Sequence, residues 1–202
     1  MNMKKKSIKA AMDSLDIEMK AVADIKGYLD LESFEQACDA LCRCDRIMTC
    51  ASGSSGIAAK KFAHSLCCIE KNAMFMSPCE AVHGGLGALK KGDVMVMISR
   101  GGKTNELLPI ISVCNKKEAI LIAVTENLGS PLALNADIVV PIRIEKESDP
   151  LGLMATSSYV ATVALFDAML SAIMTETRFT KEQFALIHPG GAVGELLNRG
   201  GK

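Results

Sequence analysis

Apolar positions Ile8, Met12, Leu15, Met19, Val22 and Ile25 fall at the three-and-four spacing of a helix face, and Gly27 offers a stop. Asp30 stands where a cap belongs, ahead of a second helical stretch from Leu31 to Cys42. Beyond it the pattern changes. Short apolar runs occur at Arg46–Cys50, Ala73–Met76, Asp93–Ser99, Ala119–Thr125 and Ala136–Ile142. Runs that do not alternate with polar residues mark strands covered on both faces. Helix-period segments lie between them, one carrying Ile57, Phe62 and Leu66 and another opening at Asn105. The alternation predicts an α/β fold, a doubly wound five-stranded parallel sheet flanked by helices. A long helix from about Met154 to Thr175 and a short C-terminal pair complete the chain. With no linker, repeat or low-complexity stretch, residues 1–202 read as one domain. The N-terminal helices over 4–43 pack on it or on a neighbouring subunit.

Composition narrows the function classes. The 202 residues suffice for one core, and 49% hydrophobic content with positive mean hydropathy leaves a surplus that suits subunit interfaces. Lys plus Arg equals Asp plus Glu at 23 each, so no overall field recruits nucleic acid or an anionic membrane. Lys4, Lys5 and Lys6 read as a solvated helix start, and no apolar core follows them as in a secretory signal. No apolar run approaches the roughly 20 residues of a spanning helix. Eight cysteines in such a chain imply reduced thiols and a cytoplasmic setting, with most of them acting as small core hydrophobes. Cys42-x-Cys44 and Cys67-Cys68 are not C-x-x-C pairs and the three histidines are scattered, so no metal is expected.

The candidate chemistry sits in two loops that each close a strand and open a helix. Ala51 to Gly56 offers Ser52, Ser54 and Ser55 among glycines, and Ser99 to Thr104 offers Ser99, Lys103 and Thr104 around Gly101 and Gly102. Ligands of open parallel sheets bind at the carboxyl ends of the strands. Helix-start amides and hydroxyls there favour a phosphate. The same pattern fits ordinary strand–helix turns rich in Gly and Ser, and both readings stand on local grounds. Gly102-Lys103-Thr104 imitates the end of a Walker A loop, but Met97 occupies the place of its first glycine. The first loop lacks G-x-G-x-x-G spacing, so neither ATP nor a dinucleotide cofactor is supported. His83, Glu106, Glu147 and His188 are the remaining polar candidates. A histidine among glycines is also a common loop cap, and Glu106 would equally complement a helix dipole.

Longer motifs carry a resemblance. Pro150 to Ser158 (PLGLMATSS) is similar to PLGLAPTSS, and Phe184 to Gly194 (FALIHPGGAVG) to FALSHPGGALG. Glu80 to Gly87 resembles E-A-x-H-G-D-L-G, with Gly85 in place of the aspartate. These are motifs of sugar-isomerase (SIS) domain proteins, and within them of D-arabinose 5-phosphate isomerases. The resemblance implies a cofactor-free aldose–ketose isomerase of a sugar phosphate. It places the phosphate on Ser55, Ser99 and Thr104, and it gathers His83, Glu106, Glu147 and His188 around the sugar, some from a neighbouring subunit of a homotetramer. A homodimer would also serve. On chemical grounds Glu147 is assigned as the base that moves the proton between carbons. His188 is assigned to ring opening, and His83 to polarising the carbonyl or positioning hydroxyls.

Three departures bear on that expectation. Relatives read G-x-G-K-S-G in the first loop, and here Ser54 takes the lysine position. Their second loop reads S-N-S-G-E-S-S-E, against Ser99-Arg100-Gly101-Gly102-Lys103-Thr104-Asn105-Glu106, which brings the positive charges Arg100 and Lys103. Lys103 is a candidate to replace the missing lysine. Relatives also often continue into paired CBS modules, whereas this sequence ends at Lys202, so control through them is not expected. The alternatives are an isomerase of another sugar phosphate, such as a hexulose 6-phosphate, and a non-catalytic sugar-phosphate sensor.

Overall fold

The computed structural model describes residues 4–191 and 194. Two helices, α1 (Lys5–Tyr28) and α2 (Leu31–Arg43), precede the alternating part. Then follow β1 (Ile47–Cys50), α3 (Gly53–Cys67), β2 (Ala73–Phe75), α4 (Pro78–Val82), a 3-10 turn (Gly85–Ala88), β3 (Val94–Ile98) and α5 (Leu108–Lys116). The chain continues through β4 (Ile120–Thr125), α6 (Pro131–Leu134), β5 (Ile138–Pro141), α7 (Ser157–Glu176) and α8 (Lys181–Ile187). Five strands pair in the order β2-β1-β3-β4-β5, every neighbour parallel. This is the doubly wound sheet that the apolar runs predict.

Both faces are buried, as uninterrupted apolar strands require. Val94, Val96 and Ile98 of β3 face one layer with Phe62, Leu66, Leu165 and Phe166. Met95 and Met97 face the other, with Ile110, Cys114 and Leu132. The Phe62 and Phe166 rings stack at 4.1 Å between centroids, fully buried, and so tie α3 to α7. Those helices begin at the two ends of the site described below. Strand order reverses between β1 and β3, so the loops after these strands flank the crevice where open sheets take ligands.

Several expected boundaries move for physical reasons. Gly27 does not stop α1, which runs to Tyr28 before Leu29 turns extended. Residues 53–56 of the first loop are already the opening turn of α3. The helix expected from Asn105 starts at Leu108, because Pro109 favours a first-turn position. The long helix starts at Ser157 rather than Met154, because Asp149 accepts the amides of Leu151, Leu153 and Met154 and holds them in a loop. Of the C-terminal pair, α8 is observed and the second helix lies outside the described residues.

Three further expectations are corrected. Ile8, Met12, Leu15 and Met19 of α1 are more than half exposed, while Ala21 and Ile25 take the buried positions. Of the eight free cysteines only Cys38, Cys50 and Cys114 are buried, and burial pushes their thiols up to about 12. The 20-residue α7 is long and apolar enough by composition to cross a membrane, contrary to the expectation that no run comes close. It packs against α1, α2 and α3, and its apolar residues run all round.

Truncating the stacked pair tests this packing. Phe62→Ala is expected to cost about 3–5 kcal/mol in denaturant unfolding. A loss below ~1 kcal/mol would mean that the α3–α7 seam is not a principal support.

Candidate active site

The first turn of α3 offers free amides. Its first intrahelical bond is from the Gly56 amide to the Ser52 carbonyl at 3.1 Å, and no side chain caps the helix. The amides of Gly53, Ser54 and Ser55 therefore precede the hydrogen-bonded ladder. Gly56 permits a close approach, since a Cβ there would sit 2.8 Å from the Ala51 carbonyl oxygen. The helix start is thus pressed onto the end of β1.

The second loop is built differently. Ser99 is buried; its Oγ lies 2.8 Å from Thr104 Oγ1 and accepts the Gly102 amide at 3.0 Å. Gly102 has φ +63, and a Cβ would fall 1.9 Å from Ser130 Oγ, so only glycine fits. Glu106 lies in a turn ahead of α5, exposed, and not in the helix turn that the sequence suggested. It lines an open cleft of about 380 Å³ with Ser52, Gly53, Lys60, Phe75 and Ser77. Lys103 is exposed and joins none of the ion pairs among the described residues.

Glu147 is the most constrained of the candidates. Its residue is 5% exposed, and five donors converge on it. Oε1 accepts from Arg100 Nη1 at 2.9 Å and from Ser158 Oγ at 2.5 Å. Oε2 accepts from the Thr156 amide at 2.9 Å, Thr156 Oγ1 at 3.1 Å and the Ser158 amide at 3.1 Å. The carboxylate thus caps α7, where the helix dipole also favours an anion. Burial acts to raise its pKa, but the donors from Ser158 and Thr156 win and hold it below the ordinary value. The motif from Pro150 to Ser158 is thereby explained: its loop wraps Asp149, and its Thr156 and Ser158 hold Glu147.

Arg100 reaches this carboxylate from the second loop, with its Nε on Glu126 Oε2 at 2.6 Å. It also lines a small cavity, about 20 Å³, with Ser54, Ser55, Ser158 and Tyr159. The sequence marks Arg100 as an added charge and names Lys103 as a candidate to replace the missing lysine. The arginine is the one that shares a pocket with Ser54. Only its unusual place in the loop motif pointed to it.

Neither histidine hydrogen-bonds to these groups among the described residues. His83 is exposed at the end of α4. His188 stacks on Phe184 at 3.8 Å, and its Nδ1 lies 2.8 Å from the Phe184 carbonyl oxygen. A carbonyl only accepts, so Nδ1 carries a proton. Gln183 of the same helix donates to Glu70, beyond the far end of α3. Ser54 and Ser55 open α3, roughly 22 Å of helix away, and α8 spans only about 10 Å. His188 is therefore left well short of them. Among the described residues no group of three or more His, Cys, Asp or Glu could hold a metal ion.

An open, doubly wound parallel sheet with hydroxyl- and amide-rich loops at its switch point defines a class of α/β proteins. The SIS domain family model matches residues 40–172, and the chain belongs to that family. Arabinose 5-phosphate isomerase KdsD of Yersinia pestis is 36% identical over 189 residues, 93% of this chain and 57% of the relative. KdsD of Escherichia coli K12 is 34% identical over the same shares. The chain thus spans little more than half the length of these curated relatives. Among solved structures, a Listeria monocytogenes protein proposed to be a sugar-phosphate isomerase superposes with TM-score 0.90 at 41% identity, covering 94% of this chain and 100% of the other. E. coli CFT073 c3406, in complex with arabinose 5-phosphate, superposes with TM-score 0.85 at 31% identity, covering 93% and 100%.

The lowered pKa gives a prediction with a definite sign. A carboxylate depressed in the folded state contributes stability that is complete above its ordinary value of 4.5 and lost as pH falls through the folded pKa. Glu147→Gln is expected to be less stable than wild type at neutral pH, with the gap narrowing below about pH 4.5 in denaturant titrations. A gap independent of pH would contradict this assignment.

Proposed function

We propose that the protein is an aldose–ketose isomerase of a sugar phosphate, with arabinose 5-phosphate and ribulose 5-phosphate as the favoured pair. The observation that carries the reading is the buried, hydrogen-bonded anion Glu147, whose partners Arg100 and Ser158 line a cavity with Ser54 and Ser55 at the start of α3. The names of the KdsD relatives and the arabinose 5-phosphate bound to c3406 support the substrate class.

In this reading the phosphate lies on the first-turn amides of α3 with Ser54, Ser55, Ser99 and Thr104, and Lys103 stays solvated near them. The chemistry is balanced within one substrate. After ring opening, Glu147 takes the proton from C2 of the aldose while O1 is protonated, which gives an enediol. O2 then loses its proton, C1 receives one, and the ketose results with no redox partner. Glu106, in the cleft with Ser52 and Gly53, faces the sugar hydroxyls. His188 and His83 act on ring opening and the carbonyl, and both come from neighbouring copies. The distance of His188 from the start of α3 within the chain supports a site completed by a partner.

We further propose a homotetramer, or at least a homodimer, of single-domain chains in the cytoplasm. Support comes from the exposed Ile8, Met12, Leu15 and Met19 on α1 and from Leu151, Leu153 and Met154 in the loop after Glu147. Free thiols on all eight cysteines fit a reducing compartment.

The test is an NMR assay with arabinose 5-phosphate, ribulose 5-phosphate and a panel of hexose and hexulose phosphates. Wild type is expected to interconvert one pair, and Glu147→Gln to lower turnover by roughly 10²–10⁴-fold while phosphate affinity holds. Unchanged turnover would remove Glu147 from the base role. Tight binding without turnover of any pair would replace the isomerase with a sensor.

A further inference from the structure

One guanidinium links three consecutive strand-end loops. Arg100 follows β3, Glu126 follows β4 and Glu147 follows β5, and the arginine bonds both carboxylates, at 2.6 Å and 2.9 Å. Its backbone is pinned as well, its carbonyl accepting from the Glu126 amide and from Thr125 Oγ1, each at 3.0 Å. Arg100 itself remains half-exposed while the Glu147 side chain is 4% exposed. A carboxylate so far removed from water needs a compensating cation or full hydrogen bonding to stay charged. Arg100 is the one cation among the described residues within salt-bridge distance of it.

The other groups around Glu147 do not duplicate this role. From α7 come only the hydroxyls and amides of Thr156 and Ser158. From α1 comes Glu18, an acid, which accepts from Ser148 Oγ at 2.9 Å, while Ser14 donates to the same hydroxyl at 2.8 Å. Glu126 meets Glu147 only through the arginine. Among the described residues Arg100 is thus the one charged donor bonded to Glu147, adding a cation to the hydrogen bonds of Thr156 and Ser158 and fixing the aim of Oε1.

We propose that Arg100 is a positioning residue for catalysis, adding its charge to the donors that keep Glu147 ionised and aiming the carboxylate toward the substrate rather than binding the substrate itself. The inference rests on the isomerase reading for its kinetic consequence, but not for its electrostatic one. It also assigns the added positive charge of the second loop. Arg100 works within the protein, and Lys103 stays in solvent.

Two readouts test it on the full chain. In protein carrying ¹³C-labelled glutamate carboxyls, the Glu147 signal, assigned by its loss in Glu147→Gln, is expected to titrate at higher pH in Arg100→Gln than in wild type. Arg100→Lys, which keeps a positive charge and guards against misfolding of the first variant, should fall between them. In the assay, Arg100→Gln should lower kcat at least ~10-fold with KM within a few fold, and move the acid limb of the kcat profile to higher pH. An unchanged Glu147 titration overturns the proposal whatever the activity. A raised KM with unchanged kcat overturns it too, because Arg100 would then be a phosphate ligand. If wild type turns over no sugar phosphate, the isomerase reading falls, and the carboxyl titration still decides what Arg100 does.

Discussion

A carboxylate almost wholly removed from water has to be repaid in hydrogen bonds, and Glu147 arranges much of the molecule around that need. Its five donors come from α7 and from the loop after β3, so one buried anion fixes the start of a long core helix and the aim of a strand-end loop. The chain between Ser148 and Thr156 is shaped to permit this. Asp149 gathers three amides, and the Ser148 amide donates to Thr156 Oγ1 at 2.8 Å. Through Ser148 the arrangement extends to Ser14 and Glu18, which docks α1 beside the same carboxylate.

The sheet was legible because burial on both faces leaves a plain mark, an apolar run without alternation. Each of the five strands lies within its predicted segment, shortened by one to three residues where pairing ends. Helix starts were less legible, because apolar spacing alone does not place them. Pro109 in the first turn of α5 and Asp149, which accepts the amides of Leu151, Leu153 and Met154, are local features that shift the starts past Glu106 and Met154. The stripe on α1 misled for another reason. Helical spacing reveals an apolar face but not its partner, and Ile8, Met12, Leu15 and Met19 stay largely exposed on their own chain.

The site was half legible. Gly- and Ser-rich loops after β1 and β3 do flank the switch point, and Glu147 occupies a special environment. The sequence could not show that Arg100 turns inward while Lys103 stays in water, because loop side chains choose by tertiary geometry. Nor could it show that α8 leaves His188 well short of the opening of α3 within one chain. On the proposed reading, the crevice that carries the phosphate site and the base gains its full acid–base set when imidazoles of a neighbouring copy join it.

Proton movement between carbons is the central claim, and solvent deuterium reads it directly. The protein would be incubated with arabinose 5-phosphate in deuterated water and the sugar followed by proton NMR. Loss of the C2 proton signal together with appearance of the ketose, both abolished in Glu147→Gln, is the predicted result. A C2 signal that persists undiminished, with no ketose formed although the sugar phosphate binds, would contradict it.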